Sequence, residues 1–527
     1  MRQVIRMKFV KIVKTGIMLL ALACAILLMI RGKVAEAQSP TGIGEQPILE
    51  QHTNEADIEN GSIKLKKLRD IGETIFSARW SKLDGQGRPG ATGNSNPTHR
   101  NPSNDPGFIR TSGTDSTSCA DCHNQPAVGG AGGFVSNVFV LAQNLDPATD
   151  SLSPQFSDER NTLGMNGSGA IELLAREMTA DLLSIQAAAS TQAKSSGADV
   201  SAALTTKGVN FGQIIAHPEG SFDMSGIQGI DPDLIVKPFS QKGVVNSLRV
   251  FSVNAFNQHH GMEAVERFGV GELDSSGRVI MTNDFDGDGV PDELSIGDIT
   301  TAVVYQAALN TPGRVVASDP SRRKAAQAGE ELFSQIGCSV CHIPTLTLNS
   351  PIFSEPNPYN PAGNYRVRDA QRPFTFDLTK DISKPRLESG GNGTAIVHPY
   401  TDLKRHVIAD AQDPYFANEQ LIQNGVPLDQ FITRKLWDVG SSAPYGHRGD
   451  LTTMTEAIMH HAGEARPQRE HFAALSPTEQ AEIIEFLKQL QVLPDGSPRQ
   501  VTEDELAKML KAQKHVKASL LLNRERK

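Results

Sequence analysis

The sequence predicts a mainly α-helical protein built from two similar halves, and three observations carry that prediction. Apolar residues recur at helical spacing between positions 171 and 193. A capping box at Ser476–Glu479, with proline at the first helical position, precedes a second apolar stripe. A hexapeptide that begins Gly-Glu and ends Phe-Ser occurs twice, at 72–77 and 329–334. A short repeat is weak evidence alone, so the duplication also rests on the cysteine motif that follows each copy.

The first 37 residues have the features of an export signal. A basic n-region carries Arg2, Arg6, Lys8, Lys11 and Lys14. The uncharged run from 16 to 30 follows, and Ala35-Glu36-Ala37 offers a cleavage site. That run is shorter than the roughly 20 residues that a membrane span needs. We therefore expect a signal peptide at 1–37 and a periplasmic protein, with an uncleaved membrane anchor as the alternative.

The charge of the chain argues against some partners. The formal net charge is −9, and the leader holds seven basic residues and one glutamate, so its removal takes the charge to −15. Such an acidic chain argues against nucleic acid and against an anionic membrane surface as partners. The 490 residues that remain exceed one hydrophobic core and predict two or three domains.

Two C-x-x-C-H motifs, Cys119-Ala120-Asp121-Cys122-His123 and Cys338-Ser339-Val340-Cys341-His342, are typical of covalent haem c attachment. The thiols of Cys119, Cys122, Cys338 and Cys341 can each form a thioether to a porphyrin vinyl group. His123 and His342 can then reach the two irons as proximal ligands. The sequence therefore predicts two covalently bound haem c groups.

Zinc, redox dithiols and plain disulfides are the alternatives for these cysteines. Zinc knuckles usually lie some twelve to twenty residues apart, whereas Cys119 and Cys338 are 219 positions apart. A redox dithiol or a disulfide leaves the histidine after both pairs unexplained. Empty motifs in a structural protein remain a further alternative.

The predicted elements, in chain order, are two tandem cytochrome c-type domains with long loop insertions. The first spans 38–315 and the second spans 316–495, where the helix after the capping box closes it. Residues 496–527 form a charge-rich tail in which Thr502–Glu505 begins another helix.

An acidic loop in the first domain resembles a calcium site. Aspartates alternate at Asp284, Asp286 and Asp288, Asp292 follows, and Gly289 permits a sharp turn. The twelfth position is a serine, which favours a thrombospondin- or dockerin-like loop over an EF-hand. A solvated acidic turn is the alternative.

The chain resembles the bacterial dihaem oxidoreductases, a family of peroxidases related to dihaem cytochrome c peroxidase and MauG. The resemblance covers both haem motifs and nearly all of the exported chain. Three stretches carry it: Asn257–Met262, His398–Leu403 and Leu436–His447, the last ending in a PY-x-H segment. It implies one haem for peroxide chemistry and another that stores or relays an electron.

The resemblance also implies the position of the second haem's distal ligand and a role for His447. The chain departs from the family at the distal side of the first haem and at the catalytic arginine, so the candidates there are chosen from neighbouring residues. The sixth ligand of the second haem falls at His461, with Met459 and Met454 as rivals; the family usually has methionine there, and histidine would lower the potential. For the first haem the choice is His260, with His259 and Met262 as rivals, or an open iron position. His447 of the PY-x-H segment, Arg434 and Glu263 are the catalytic candidates. Glu266 is a second candidate base, and Trp437 is either an electron relay or a core residue.

The expected function is peroxide reduction, with electrons from a small cytochrome c or cupredoxin. Two rivals stay open: a non-catalytic dihaem electron-transfer protein, and oxidation of a protein or thiol substrate as in MauG. The distal ligands distinguish a peroxidase from the electron-transfer protein, because two fully coordinated irons leave peroxide nowhere to bind.

Overall fold

A computed structural model describes residues 44–87, 116–139, 157–269, 272–273, 279–281, 290, 292–419 and 421–524. The helices within these ranges are α1 (Glu55–Glu59), α2 (Leu65–Ser77), α3 (Cys119–Cys122), α4 (Ser168–Ser196), α5 (Leu248–Ala255), α6 (Val265–Phe268), α7 (Ile296–Ala307), α8 (Pro320–Gln335), α9 (Met454–Met459), α10 (Arg466–Ala474), α11 (Pro477–Lys488) and α12 (Glu503–Arg524).

Short strands lie between these helices. They are β1 (Gly132–Phe139), β2 (Ser157–Thr162), β3 (Val200–Thr206), β4 (Val209–Ala216), β5 (Phe222–Asp223), β6 (Glu272–Leu273), β7 (Val279–Met281), β8 (Gly313–Val316), β9 (Leu346–Leu348), β10 (Ile352–Glu355), β11 (Phe374–Asp377), β12 (Glu388–Gly391), β13 (Thr394–Val397), β14 (Arg405–Val407), β15 (Gln430–Ile432), β16 (Leu490–Gln491) and β17 (Gln500–Thr502).

The prediction of a mainly α fold is wrong: the molecule is mixed, with 38% helix and 17% strand. The strands pair in sheets of two or three, such as β3-β4-β5, β9-β13-β12 and β16-β8-β17. Most of them are too short to give a clear alternating pattern. They lie in the long insertions that the sequence presented as loops, where backbone groups still need hydrogen-bond partners.

The helices predicted from capping and periodicity are confirmed. Helix α11 begins at Pro477, where the Ser476 side chain accepts a hydrogen bond from the Glu479 amide. The periodic segment at 171–193 lies within α4. In the tail, α12 begins after Thr502, whose hydroxyl accepts from the Glu505 amide while the Glu505 carboxylate accepts from the Thr502 amide.

The two copies of the hexapeptide lie in equivalent helix pairs. In the first pair, α2 crosses α7 so closely that a Cβ on Gly72 would lie 2.1 Å from the Thr301 carbonyl oxygen. In the second, α8 crosses α11, and a Cβ on Gly329 would lie 1.9 Å from the Glu482 carbonyl oxygen. Only glycine permits backbones to approach this closely.

An aromatic residue four positions after each glycine extends the equivalence. Phe76 packs on Tyr305 of α7, with ring centroids 5.3 Å apart, and Phe333 packs on Phe486 of α11, at 5.5 Å. Both α7 and α11 begin with a serine capping box. The sequence duplication therefore corresponds to a duplicated pair of crossed helices.

The described residues from Gln51 onward form one compact unit. Before Gln51 the structure describes 44–50, which contain neither helix nor strand. The predicted signal peptide lies outside the described residues. None of the helices described here is long and apolar enough to cross a membrane.

Candidate functional site

Each C-x-x-C-H motif lines its own cavity. Cys119, Cys122 and His123 line the first cavity, which encloses about 1560 Å³ and is partly open to solvent. Cys338, Cys341 and His342 line the second, of about 1650 Å³. Both volumes include space that is open to solvent, and apolar side chains provide most of the surface of both linings. Each cavity therefore suits a large, mostly apolar group.

A single helical turn arranges each motif. In α3 the Ser118 side chain accepts from the Ala120 amide, and the His123 amide donates to the Cys119 carbonyl at 2.9 Å. In the second motif a short 3₁₀ turn does the same, with the His342 amide 3.0 Å from the Cys338 carbonyl. Residues three and four apart share a helix face, so both thiols and the histidine meet at one side of the turn.

The motif histidines are held as neutral ligands. The Nδ1 atom of His123 lies 2.9 Å from the Leu163 carbonyl oxygen. In His342, Nδ1 lies 3.1 Å from two carbonyl oxygens, those of Tyr400 and Arg434. Burial lowers the pKa of each imidazole to about 4. A neutral ring that donates through Nδ1 keeps Nε2 as its ligand atom, so both histidines fit a haem iron.

The cysteines also fit this chemistry. Within the described part of the chain, none of the four motif cysteines forms a disulfide. Burial raises the pKa of Cys119 to about 12 and that of Cys338 to about 11. These thiols are therefore protonated at neutral pH, which disfavours the thiolate chemistry of a reactive dithiol.

His461 also lines the second cavity and is held like a motif histidine. Its Nδ1 lies 2.7 Å from the Ala457 carbonyl oxygen, and burial lowers its pKa. After burial, a charge on His461 is the largest influence that lowers the pKa of His342, so the two rings are near one another. Of the rival ligands, Met454 lines this cavity, whereas Met459 does not and is exposed.

The first cavity holds His259 and His260, but in a different arrangement. His260 is buried, its Nδ1 lies 2.9 Å from the Ser116 carbonyl oxygen, and its Nε2 lies 3.4 Å from Cys119 Sγ. His259 lines the same cavity, and its charge lowers the pKa of His123. The rival Met262 is fully buried outside the lining. Both ring nitrogens of His260 thus have partners within the protein.

A π-helical turn, Phe256–His260, presents these two histidines. It continues α5 and ends at Gly261, which has a left-handed φ of 66°. Single π turns of this kind are frequent at functional sites. This turn could not be predicted from the sequence, because the apolar spacing of α5 does not distinguish an α from a π turn.

Of the predicted catalytic residues, His447 lines the second cavity. Its Nε2 lies 2.8 Å from Asn418 Oδ1, and its ring lies 4.6 Å from the Phe431 ring. Burial, followed by the charges of Arg160 and Lys242, lowers the pKa of His447 to about 3. The side chain is therefore a neutral imidazole beside the second C-x-x-C-H motif.

Of the remaining candidates from the sequence, only some line a cavity. Arg434 contributes to the lining of both cavities. Glu263 is buried outside both linings, and its amide donates to Glu293. Glu266 binds Arg249 at 2.8 Å instead of reaching a cavity. Trp437 is also buried outside both linings, against Gly167. The structure thus brings Arg434 to the site and leaves the other three away from it.

Eight residues line both cavities and form what we call the shared wall. They are Asn161, Thr162, Leu163, Gln241, Ile432, Thr433, Arg434 and Lys435. Two of its carbonyl oxygens, those of Leu163 and Arg434, accept hydrogen bonds from the motif histidines. Sequence reasoning missed this wall because it combines segments some 270 positions apart.

A second feature that the sequence did not predict is His406, which lies in the second cavity between two carboxylates. His406 Nε2 lies 2.8 Å from Asp402, and its Nδ1 lies 2.7 Å from Glu464. Burial acts to lower its pKa, but hydrogen bonds to Asp402 and Cys341 outweigh burial and raise it to about 11. Cys341, Asp402 and His406 are close enough to share a metal ion. A thioether at Cys341 would remove the thiolate from that set.

The predicted calcium loop is largely outside the described residues, which include Asp292 but not Asp284, Asp286 or Asp288. Asp292 has a left-handed φ of 57°. The calcium site therefore stays a prediction.

Comparison with known proteins adds one weak likeness. No protein-family model and no curated protein matches the chain. A solved structure of hydrazine synthase from Kuenenia stuttgartiensis, pressurised with 20 bar of xenon, is similar over 86% of this chain and 98% of that one. The sequence identity is 14% and the TM-score 0.33. This likeness assigns neither a fold family nor an activity to the chain.

Proposed function

We propose that the protein is a periplasmic oxidoreductase that carries two covalently bound haem c groups and reduces peroxide. Cys119, Cys122 and His123 would hold one haem, and Cys338, Cys341 and His342 the other. Bound haem c would supply one-electron transfer and, at an iron with an open position, peroxide reduction. The electrons would come from a small redox protein such as a cytochrome c or cupredoxin.

The observation that carries the proposal is the difference between the two distal sides. In the second cavity, the Nδ1 of His461 is hydrogen-bonded to a carbonyl oxygen, which leaves Nε2 as the atom that would bind the iron of a haem held there. In the first cavity, His260 engages Ser116 through one nitrogen and approaches Cys119 through the other. Unequal distal sides favour one relay haem and one reactive haem.

Side chains of the first cavity can transfer the protons that peroxide reduction requires. Reduction of one peroxide to two waters consumes two electrons and two protons. In the first cavity, His259 and His260 are the groups close enough to C-x-x-C-H to accept the peroxide proton and return it to the departing oxygen. The largely apolar lining lowers the local dielectric constant, which strengthens such hydrogen bonds.

EPR of the as-isolated and half-reduced protein tests the proposal, after an absorption assay has counted the covalent haems. We expect one low-spin signal and one high-spin signal, and peroxide should abolish the high-spin one. Two low-spin signals that peroxide leaves unchanged would contradict peroxidase activity. Absence of covalent haem would contradict the whole proposal.

Two variants sharpen this experiment. Replacing His461 with alanine should convert the low-spin signal to high spin, because the second axial bond is lost. The matched control is His460→Ala: this neighbouring histidine stacks on Tyr415, with ring centroids 3.9 Å apart, outside the cavity lining. The His460→Ala variant should leave both EPR signals unchanged.

A non-catalytic dihaem electron-transfer protein is the second candidate. The observation in its favour is that His259 lines the first cavity and influences the pKa of His123. If His259 ligates the first iron in every redox state, both irons are closed. The same EPR experiment would then give two low-spin signals. His259→Ala would convert one of them to high spin, because that iron would lose a ligand.

A further inference from the structure

Arg434 belongs to the shared wall and therefore borders both cavities. Two hydrogen bonds hold the segment after β15 in place. The Thr433 amide donates to the Lys404 carbonyl, and the Thr401 hydroxyl donates to the Thr433 carbonyl. The Arg434 carbonyl accepts from His342, and Arg434 is one of the residues that line both cavities. One residue therefore contacts both candidate haem sites.

The guanidinium of Arg434 has no protein partner in the part of the chain that the structure describes. It forms no hydrogen bond and no ion pair there, and burial lowers its pKa while the charge of Asp438 opposes that shift. The fully buried Arg249 is paired instead: it binds Glu355 at 2.6 Å and Glu266 at 2.8 Å. Arg434 is partly exposed at the cavity walls, so its guanidinium is placed to bind an anionic group that enters the cavities.

A second cation lies beside it. The ammonium of Lys435 donates to the Gly164 carbonyl at 2.6 Å, and burial, followed by the charge of Arg434, lowers the pKa of Lys435 to about 7. Asp438 is the acidic side chain whose charge acts on both. The wall thus concentrates positive charge between two largely apolar cavities.

We infer that the Arg434 guanidinium binds carboxylate groups of the haems in both cavities and thereby couples the two redox sites. The inference rests on the proposed function, since haem c is what brings carboxylates into these cavities. Its planar fork of N–H donors matches a carboxylate on each side, which an ammonium cannot reproduce. A cation at this position stabilises the reduced form of each haem, so it raises both potentials.

A spectroelectrochemical titration of both haems in wild-type protein and in Arg434→Met tests this inference. We expect both midpoint potentials to fall, by at least a tenfold change in the oxidised-to-reduced ratio at fixed potential, or about 59 mV for one electron. Arg434→Lys should recover part of the shift. Arg368→Met is the control, because Arg368 is exposed, pairs with Asp369 and does not line a cavity.

The outcomes separate this inference from the function it rests on. Two attached haems with unchanged potentials in Arg434→Met, or a shift at one haem only, would overturn the inference and leave the proposed function standing. Should Arg434→Met fail to mature, Arg434→Gln and Arg434→Lys allow the same comparison. Absence of covalent haem in the wild type would overturn both.

A free anion is the other source of a carboxylate or similar group. To distinguish it, the wild-type titration is repeated with added formate and with inorganic phosphate. Potentials that do not respond support the haem carboxylates as the partners. Potentials that shift with formate or phosphate in the wild type, but not in Arg434→Met, would contradict the inference.

Discussion

His447 illustrates how far a single side chain can depart from its solution behaviour. Its ring is buried between Phe431 and Phe416, and two cations, Arg160 and Lys242, lie close enough to lower its pKa. The buried Glu419 carboxylate pairs with both cations and lies 3.9 Å from His447 Nε2, so it offsets part of their charge, and burial remains the largest effect on the pKa of His447. The neutral ring is therefore the form that the fold requires.

This requirement makes stability depend on pH. The folded pKa of His447 is about 3, below the value of about 6.5 in an unfolded chain. Between these values the unfolded state binds more protons, so the free energy of unfolding falls as pH drops below about 6.5. From neutral pH to about pH 5, His447 alone should cost about 2 kcal/mol.

The measurement is urea unfolding at both pH values in wild type and in His447→Gln, whose amide can still donate to Asn418. The variant should lose about 2 kcal/mol less on acidification. His460→Gln, at a partly exposed position, serves as the control. Equal losses in the wild type and in His447→Gln would contradict the assignment of a depressed pKa to His447.

At the residue scale, spacing predicted part of the site. The C-x-x-C-H motifs located both cavities, and counting from His447 reached His461 in the same cavity as His342. Glu263 was misjudged because the chain turns at Gly261, which has a left-handed φ, and carries the next residues toward Glu293. Spacing along a chain does not reveal such a reversal.

At the element scale, the two crossed helix pairs depend on glycine. A methyl group at Gly72 or Gly329 would overlap a backbone carbonyl of the partner helix. A carbonyl within a helix has little freedom to move, so the helices would have to separate and loosen the packing of Phe76 or Phe333.

We therefore expect Gly72→Ala and Gly329→Ala each to lower the free energy of unfolding by about 1–3 kcal/mol, despite alanine's better helix propensity. Urea unfolding measures this. The control is Gly133→Ala, where the nearest atom to an added Cβ lies 3.8 Å away. Stabilised Gly72 and Gly329 variants would show that the helices do not cross as described.

Helices were predicted better than strands, for a physical reason. Helix α11 has a capping box, a proline at its start and a long apolar stripe, all within consecutive residues. The hairpin β3–β4 turns through Lys207 and Gly208, both with positive φ, without the Asn-Gly or Asp-Gly pair that usually announces such a turn. Strand β8 pairs with β16 and β17 across 176 to 186 positions of the chain, so these partners are not evident from the local sequence.

At the scale of the whole molecule, the halves defined by the sequence repeat are not separable. Strand β8 pairs with β16 and β17, Arg176 of α4 donates to the Ser354 carbonyl, and Asn161 donates to the Pro444 carbonyl. Residues 51–527 accordingly form one compact unit. The second cavity takes part of its lining from 161–163 and Gln241.

This interdependence predicts a single cooperative unfolding transition. Far-UV circular dichroism and the absorption of each proposed haem should give coincident urea curves, because each cavity takes residues from both halves. A separately expressed segment 316–495 should fail to reach a native-like state. Two resolved transitions, or a stable isolated segment, would contradict the prediction.

The shared wall has a consequence for how this chain can change over time. A duplicated module is normally free to diverge, since one copy can vary while the other keeps its role. Here, however, Leu163 orients His123 while bordering the second cavity, and Arg434 orients His342 while bordering the first. A substitution in the wall must satisfy two sites at once, so in relatives of this chain residues 161–163 and 432–435 should vary together or not at all.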